Sequence, residues 1–157
     1  MIKNGDHLPQ ASFQCLGKNG METLSNDDLF KDKKVVVFAV PGAFTPTCSE
    51  AHLPGYVVNS DKFKAKGVDG IICLAVNDAF VMKAWGDAHN CDNIIMLGDG
   101  DGAFTKQLGL GMETGSFGGL RSKRYAMLVE DGVVKILNVE APKEFEVSNA
   151  EHMLELI

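Results

Sequence analysis

The chain has 157 residues, of which 45% are hydrophobic and 23% are charged, and its formal net charge is −6. A chain of this length folds as one domain and buries roughly 70% of the surface that it exposes when unfolded, so it needs no disulfides to hold its core. The acidic balance argues against nucleic-acid binding, and no apolar run is long enough for a membrane span. Because the N-terminus also lacks a signal-peptide core, we predict a cytoplasmic protein with a single domain over residues 1–157.

Strand and helix signals alternate through the first half of the chain. Residues 10–16 predict a short strand before a glycine-containing turn, and Ser25 is typical of a helix N-cap. The continuous apolar run at 35–40 predicts a strand that is buried on both faces. Residues 48–66 have a helical composition, although Pro54 and the glycine after it should kink the helix.

The second half continues this alternation and then changes to a hairpin. Asp78 is typical of an N-cap for a helix that ends near His89. Asp131-Gly132, between two apolar runs, is a strong hairpin signal. The mixture of βαβ units with a hairpin predicts an α/β fold in which helices flank a mixed central sheet. The other predicted elements of this half are strands at 70–76, 94–97, 125–130 and 133–139 and helices at 103–108 and 149–157.

Two segments have some features of ligand-binding loops. Asp99 begins an acidic stretch like that of a calcium loop, but Ala103 and Leu110 occupy positions where oxygen ligands are needed. The glycine-rich stretch 109–115 lacks the spacing of a dinucleotide-binding loop. We therefore predict a plain turn for the first, a mobile loop close to Cys48 for the second, and neither a metal nor a cofactor site.

The chain has four cysteines, with no Cys-x-x-Cys pair and no zinc-finger spacing. Cys15, Cys73 and Cys91 are interpreted first as small buried hydrophobic residues in a reducing compartment. Cys48 differs because it falls in the first turn of a helix that follows a buried strand. The unpaired amides and the dipole at such a position favour a thiolate, the reactive form of cysteine.

The residues around Cys48 support an activated nucleophile. Pro41 fixes the backbone of the preceding loop, and Thr45 supplies a hydroxyl three positions before the sulfur. Arg124 stands where a strand begins, and its guanidinium offers a rigid fork of donors to a nearby thiolate. His52 lies one helical turn after Cys48 and could serve as a base, although packing or hydrogen bonding is the favoured interpretation.

The pattern Pro41-x-x-x-Thr45-x-x-Cys48 resembles the peroxidatic-cysteine motif of the peroxiredoxins. The stretches 41–56, 75–85, 121–127 and 130–134 are similar to the type II branch, also called the peroxiredoxin-5 subfamily, and occur in the same order. The resemblance implies a thioredoxin-like fold with N-terminal β additions. It also implies a thiol-dependent peroxidase that reduces hydrogen peroxide and organic hydroperoxides.

The resemblance assigns roles to individual residues. Cys48 would become a sulfenic acid, while Thr45 and Arg124, helped by Thr47, would hold the peroxide. Pro41 would shield the sulfur from water. Arg121 matches a nearby family position and receives a supporting role.

The resemblance also bears on how the oxidised sulfur is restored. Cys73 matches a second cysteine of some type II relatives and is therefore a candidate resolving residue. Other members carry a resolving cysteine near the C-terminus, where residues 139–157 contain none. We therefore favour a one-cysteine cycle that uses an external thiol, either glutathione with glutaredoxin or thioredoxin. The family also implies a homodimer.

Three other functions remain open for a reactive Cys48. A thiol–disulfide oxidoreductase would normally use a Cys-x-x-Cys pair, which this chain lacks. A cysteine hydrolase would need an Asn or Asp partner for His52. A peroxide-sensing redox switch or chaperone module would react once with peroxide and would not turn over.

Overall fold

A seven-stranded mixed sheet lies at the centre of the computed structural model, which describes residues 1–157. The strands along the chain are β1 (Ser12–Gly17), β2 (Gly20–Ser25), β3 (Lys34–Ala39), β4 (Gly70–Ala75), β5 (Ile95–Gly98), β6 (Gly111–Glu113), β7 (Leu120–Ser122), β8 (Tyr125–Glu130) and β9 (Val133–Val139). The central sheet has the order β2-β1-β5-β4-β3-β8-β9, and β6 pairs with β7 in a separate ribbon.

The sheet is parallel in its middle and antiparallel towards both edges. Strand β4 runs parallel to β3 and β5, whereas β8 and β9 form the antiparallel hairpin predicted from Asp131-Gly132. In β3, Val36 and Phe38 belong to the core on one face, and Val37 belongs to the core on the other. The prediction of a doubly buried strand is confirmed, because alternate side chains of a strand point to opposite faces.

Five α-helices cover the two faces of this sheet: α1 (Asn26–Phe30), α2 (Leu53–Ala65), α3 (Ala79–Ala88), α4 (Ala103–Leu108) and α5 (Ala150–Leu156). Helices α2, α3 and α5 contribute to one core cluster, while α1 and α4 contribute to the other. The predicted caps are present: Ser25 forms a capping box with Asp28, and the Asp78 carboxylate accepts from the Val81 amide. The thioredoxin-like fold and its N-terminal β addition, the β1–β2 hairpin, are confirmed.

Three local predictions differ from the structure. Strand β2 was not predicted because none of its residues is buried and it shows no apolar alternation. The stretch 109–115, predicted as a mobile loop, instead contains β6, which pairs with β7. The irregularity expected at Pro54 occurs just before it, as a π-helical turn over Cys48–His52, and Pro54 is the second residue of α2.

The acidic stretch that begins at Asp99 is a turn, as predicted. The Asp99 carboxylate accepts from the amides of Phe104 and Thr105 and from the Thr105 hydroxyl at 2.7 Å, so it holds the start of α4. None of the helices combines the length and the hydrophobicity that a membrane span requires.

Candidate active site

Cys48 lies where the chain leaves β3 and enters a helix. Helical backbone begins at Pro46, so Cys48 is in the first turn, and the Ser49 amide donates to the Thr45 carbonyl at 2.9 Å. Proline suits this first position because its missing N–H would have had no helical partner. The predicted location of the thiol is confirmed, and its side chain is fully buried.

The π-helical turn gives Cys48 and His52 a common partner. The Leu53 amide donates to the Cys48 carbonyl, which widens the turn by one residue relative to an α-helix. Arg124 donates through Nη2 to Cys48 Sγ at 3.1 Å, and its Nη1 lies 2.9 Å from His52 Nδ1. One guanidinium therefore bridges both ends of the π-turn.

Arg124 is held on several sides. Its carbonyl accepts from the Glu140 amide at 2.9 Å, and its guanidinium carbon lies 5.7 Å from the centre of the Phe145 ring. A charged N–H donor directed at sulfur stabilises the thiolate form relative to the thiol. The guanidinium that contacts Cys48 is thus held by the protein itself.

His52 orients Arg124 and is not a base for Cys48. Its Nε2 lies 3.1 Å from the Ser148 carbonyl and can only donate to it, so Nδ1 must accept from Arg124. Burial and the neighbouring Arg124 charge lower the pKa of His52 to about 3. The imidazole is therefore neutral near neutral pH, and the favoured interpretation of hydrogen bonding and packing is confirmed.

Glu140 fixes the position of Ser148, whose carbonyl accepts the hydrogen bond from His52. The Glu140 carboxylate accepts from the amides of residues 146, 147 and 148 and from the Ser148 hydroxyl. Burial acts to raise the pKa of Glu140, but these hydrogen bonds outweigh it and lower the pKa. The same carbonyl also accepts from the Tyr56 hydroxyl at 2.7 Å. Glu140 and Ser148 were not predicted as site residues, because nothing in the sequence indicates that residues so far from Cys48 in the chain lie close to its site.

The loop before Cys48 is tightly constrained. Thr45 Oγ1 donates to the Gly42 carbonyl at 2.7 Å, which leaves the lone pairs of its oxygen available to accept from a ligand. A Cβ at Gly42 would lie 3.2 Å from the Thr45 methyl carbon and 3.4 Å from Arg121 Nη1, so the approach favours glycine. Phe44 adopts the left-handed region with φ of 64°, a strained conformation for an aromatic residue.

Arg121 lies beside this loop and makes no hydrogen bond to the sulfur. It donates through Nε to the Gly118 carbonyl at 3.0 Å and through Nη1 to the Val76 carbonyl at 3.4 Å. It therefore ties the β6–β7 ribbon to the end of β4 and packs against Gly42. The supporting role of Arg121 stays a prediction.

A pocket of about 540 Å³ adjoins the site through Thr47, the chain neighbour of Cys48, and Arg124, its hydrogen-bond partner; Cys48 itself is buried behind this wall. Its wall includes three of the predicted site residues, Pro41, Thr47 and Arg124. The remaining lining residues are Met112, Lys123, Glu140, Ala141, Pro142, Lys143, Glu144 and Phe145. Strand β6 thus reaches the pocket through Met112.

The other three cysteines have no comparable partner, and all four are free thiols. Cys73 is fully buried in β4, and burial raises its pKa well above the ordinary value, helped by nearby Cys91 and Cys48. Burial likewise raises the pKa of Cys91 to about 11. Burial and then Glu22 raise the pKa of Cys15. Cys48 alone receives a hydrogen bond from a cation.

Comparisons with known proteins cover almost the whole chain. The Redoxin family model matches residues 3–154. The chloroplastic peroxiredoxin-2E of Arabidopsis thaliana is 45% identical over 99% of this chain and 69% of its own length. Peroxiredoxin-2B of the same plant is 43% identical, with 99% and 98% covered.

Solved structures give the same picture. Reduced Prx3 from Vibrio vulnificus, in complex with hydrogen peroxide, is 63% identical, with a TM-score of 0.98 and 99% of each chain covered. Peroxiredoxin 5 from Alvinella pompejana is 35% identical, with a TM-score of 0.86, and the match covers 99% of this chain and 97% of that one.

Proposed function

The chain belongs to the Redoxin family and is a type II peroxiredoxin, a thiol-dependent peroxidase, and on this premise we propose that Cys48 is its peroxidatic residue. The observation that carries the proposal is the 3.1 Å hydrogen bond from Arg124 to Cys48 Sγ. It combines with the first-turn position of the sulfur to make Cys48 the one thiol of the chain with electrostatic support as a thiolate.

In the proposed reaction the Cys48 thiolate attacks the terminal oxygen of a hydroperoxide. An S–O bond forms and the O–O bond breaks, so the sulfur is oxidised to a sulfenic acid and the peroxide leaves as water or an alcohol after taking up a proton. Arg124 and the amides of Thr47 and Cys48 would stabilise the charge that develops on the leaving oxygen. The Thr45 hydroxyl oxygen, whose proton is donated to the Gly42 carbonyl, would hold the peroxide by accepting from its O–H. Pro41, on the pocket wall, would limit the access of water.

An external thiol then restores Cys48. It attacks the sulfenic sulfur and displaces water, which leaves a mixed disulfide. A second thiol then attacks this disulfide and releases the Cys48 thiolate. We favour glutathione with glutaredoxin, or thioredoxin, as the source of this thiol. Cys73 is the alternative, but it is fully buried in a central strand, and a disulfide requires the two Cα atoms within about 7 Å and suitably directed Cβ atoms.

We also propose a homodimer and a cytoplasmic location. The dimer is supported by the family and by exposed aromatic side chains, Phe44 at 56%, Phe80 at 65% and Phe117 at 87% exposure. The location is supported by four free cysteines, which are typical of a reducing compartment.

Peroxide-dependent oxidation of glutathione or thioredoxin tests the proposal. The wild type should turn over many times, whereas Cys48→Ser should lose at least roughly a thousandfold in rate. Cys91→Ser, which removes a thiol outside the site, is the matched control and should keep the wild-type rate. An unaffected Cys48→Ser would refute the assignment. A wild type that reacts only once, with thiol in excess, would favour the redox switch or chaperone.

A further inference from the structure

The pocket lined by Thr47 and Arg124 is much larger than the smallest peroxide. Its volume of about 540 Å³ lies in the usual range for small organic ligands. A water molecule occupies about 30 Å³, so hydrogen peroxide, with two oxygens, needs roughly 60 Å³. Met112, Pro142 and Phe145 give part of the wall an apolar surface. The pocket therefore has room for an organic group attached to the reacting oxygens.

The pocket also concentrates positive charge in an acidic protein. Lys123, Arg124 and Lys143 all line it, although the net charge of the chain is −6. Arg124 is already engaged with the sulfur and with an imidazole. The two lysines form no salt bridge, since the one salt bridge in the structure joins Lys83 and Asp87. Their ammonium groups are therefore available to an anion.

Two acidic residues share this wall and reduce its positive charge only in part. The Glu140 carboxylate is occupied by three backbone amides and the Ser148 hydroxyl. The Glu144 side chain is exposed, and its amide closes a turn by donating to the Ala141 carbonyl at 3.0 Å. Neither acid pairs with Lys123 or Lys143.

Lys143 occupies a backbone conformation that disfavours lysine. It has φ of 67° at the third position of the turn closed by Glu144, where glycine is the usual residue. The other non-glycine residues with positive φ are Asp32, Phe44, Asn90 and Asp131. Asp and Asn tolerate this region, so Phe44 and Lys143 are the two unfavourable cases, and one lies in the Cys48 loop while the other lines the pocket. Backbone strain of this kind clusters at ligand-binding sites, so the position of Lys143 on the pocket wall is an argument for a ligand there.

We propose that this pocket binds organic hydroperoxides that carry a carboxylate, with the apolar part of the ligand against Phe145 and the carboxylate near Lys123 and Lys143. The proposal rests on the proposed function of Cys48 and specifies its substrate class. The chemical step is unchanged: the thiolate takes the terminal oxygen, the O–O bond breaks, and the alkoxide takes up a proton to leave as a hydroxy acid.

A single-turnover experiment without thiol isolates this step from the reductant. The chain has one tryptophan, and its indole N–H donates to the hydroxyl of Ser49, the neighbour of Cys48, at 3.0 Å, so Trp85 fluorescence should report oxidation. The probes are a medium-chain hydroperoxy fatty acid, its methyl ester and hydrogen peroxide. At low ionic strength the wild type should react roughly tenfold faster with the acid than with the ester. Added salt should reduce this preference.

Variants of the two lysines test the assignment. Lys123→Gln combined with Lys143→Gly should bring the acid-to-ester ratio close to one, while Lys143→Arg should retain most of it. Glycine tolerates the positive φ at position 143, so Lys143→Gly should not lower the midpoint of thermal unfolding. A change in the acid-to-ester ratio could then not be attributed to a folding defect. Lys64→Gln, on α2 outside the pocket, is the matched control for the loss of one positive charge.

Each outcome bears on the inference. Equal rates for acid and ester in the wild type, or a preference that survives in the double variant, would overturn it while leaving the peroxidase proposal intact if hydrogen peroxide still reacts. A wild type that reacts with none of the three probes would overturn the proposed function and this inference together.

Discussion

Cys48 and Cys73 are equally buried members of the same core cluster, yet they have very different surroundings. Cys48 lies in the first turn of a helix and receives a hydrogen bond from Arg124 at 3.1 Å. Cys73 is inside β4, opposite Phe38 of β3, and burial raises its pKa. Burial therefore does not by itself determine whether a thiol is reactive. What distinguishes Cys48 from Cys73 is a fixed cationic donor and a position in the first turn of a helix, which are the features expected of a reactive thiol.

The separation between these two environments is small. Phe38, the neighbour of Cys73 in the sheet, stacks on Tyr56 at 4.1 Å and lies 5.0 Å from the His52 ring. His52 in turn contacts Arg124. The polar network thus approaches the strand that holds Cys73 through the ring of Phe38.

The largest expected difference between the two thiols is all-or-none. After one equivalent of peroxide without thiol, intact-mass analysis should show one added oxygen on Cys48 in both the wild type and Cys73→Ala. The expectation follows from the burial of Cys73 and its raised pKa, which keep it protonated. If the wild type instead lost the mass of two hydrogens and Cys73→Ala did not, Cys48 and Cys73 would form a disulfide, within or between chains. The contrast between the two thiols would then be wrong.

Removal of the cationic donor should make Cys48 less reactive towards peroxide and so reduce its difference from Cys73. Arg124→Gln should slow oxidation of Cys48 by about a hundred- to a thousandfold, as for the loss of one well-placed donor to a developing charge. Arg124→Lys should lose less, because the charge stays but the fork that reaches both Cys48 and His52 does not. Stopped-flow Trp85 fluorescence measures these rates. Lys62→Gln, on α2 outside the pocket, is the control for the loss of one positive charge. Arg121→Gln should lose less than Arg124→Gln, since Arg121 makes no hydrogen bond to the sulfur; equal losses in these two variants would contradict the role of Arg124.

The smallest effect concerns the neutral His52 that orients the donor. Burial and Arg124 lower its pKa from 6.5 to about 3, so on acidification the unfolded chain binds a proton that the folded chain does not. Stability is therefore lost as the pH falls below 6.5 towards 3, at about 1.4 kcal/mol per pH unit within that window.

Urea denaturation at about pH 7.5 and about pH 5.5 measures this loss, which should be about 1.4 kcal/mol. His52→Gln should remove it, whereas His7→Gln, at an exposed position, should keep it. The same pH dependence in both variants would show that His52 is not the responsible group.

Predictions from local sequence succeeded where one element carries its own signal. The apolar runs of β3 and β4, the caps at Ser25 and Asp78 and the turn at Asp131-Gly132 are all present. The predictions failed for strands that form only by pairing with a neighbouring strand. Strand β2 has no buried residue, and β6 has three residues that are ordered by β7.

The sequence by itself determined that Cys48 stands in the first turn of a helix after a buried strand, and that its motif resembles that of the type II peroxiredoxins. Only the tertiary structure decided how Arg124 is held, because its partners Cys48 and His52 are 76 and 72 residues away in the chain. Strand β8 lies beside β3 in the sheet, and this adjacency brings the guanidinium to the helix start. Glu140, Ser148 and Lys143 reach the site in the same way, through contacts that no local periodicity encodes. Local patterns report the conformation of a segment, while the sheet order determines which distant side chains meet.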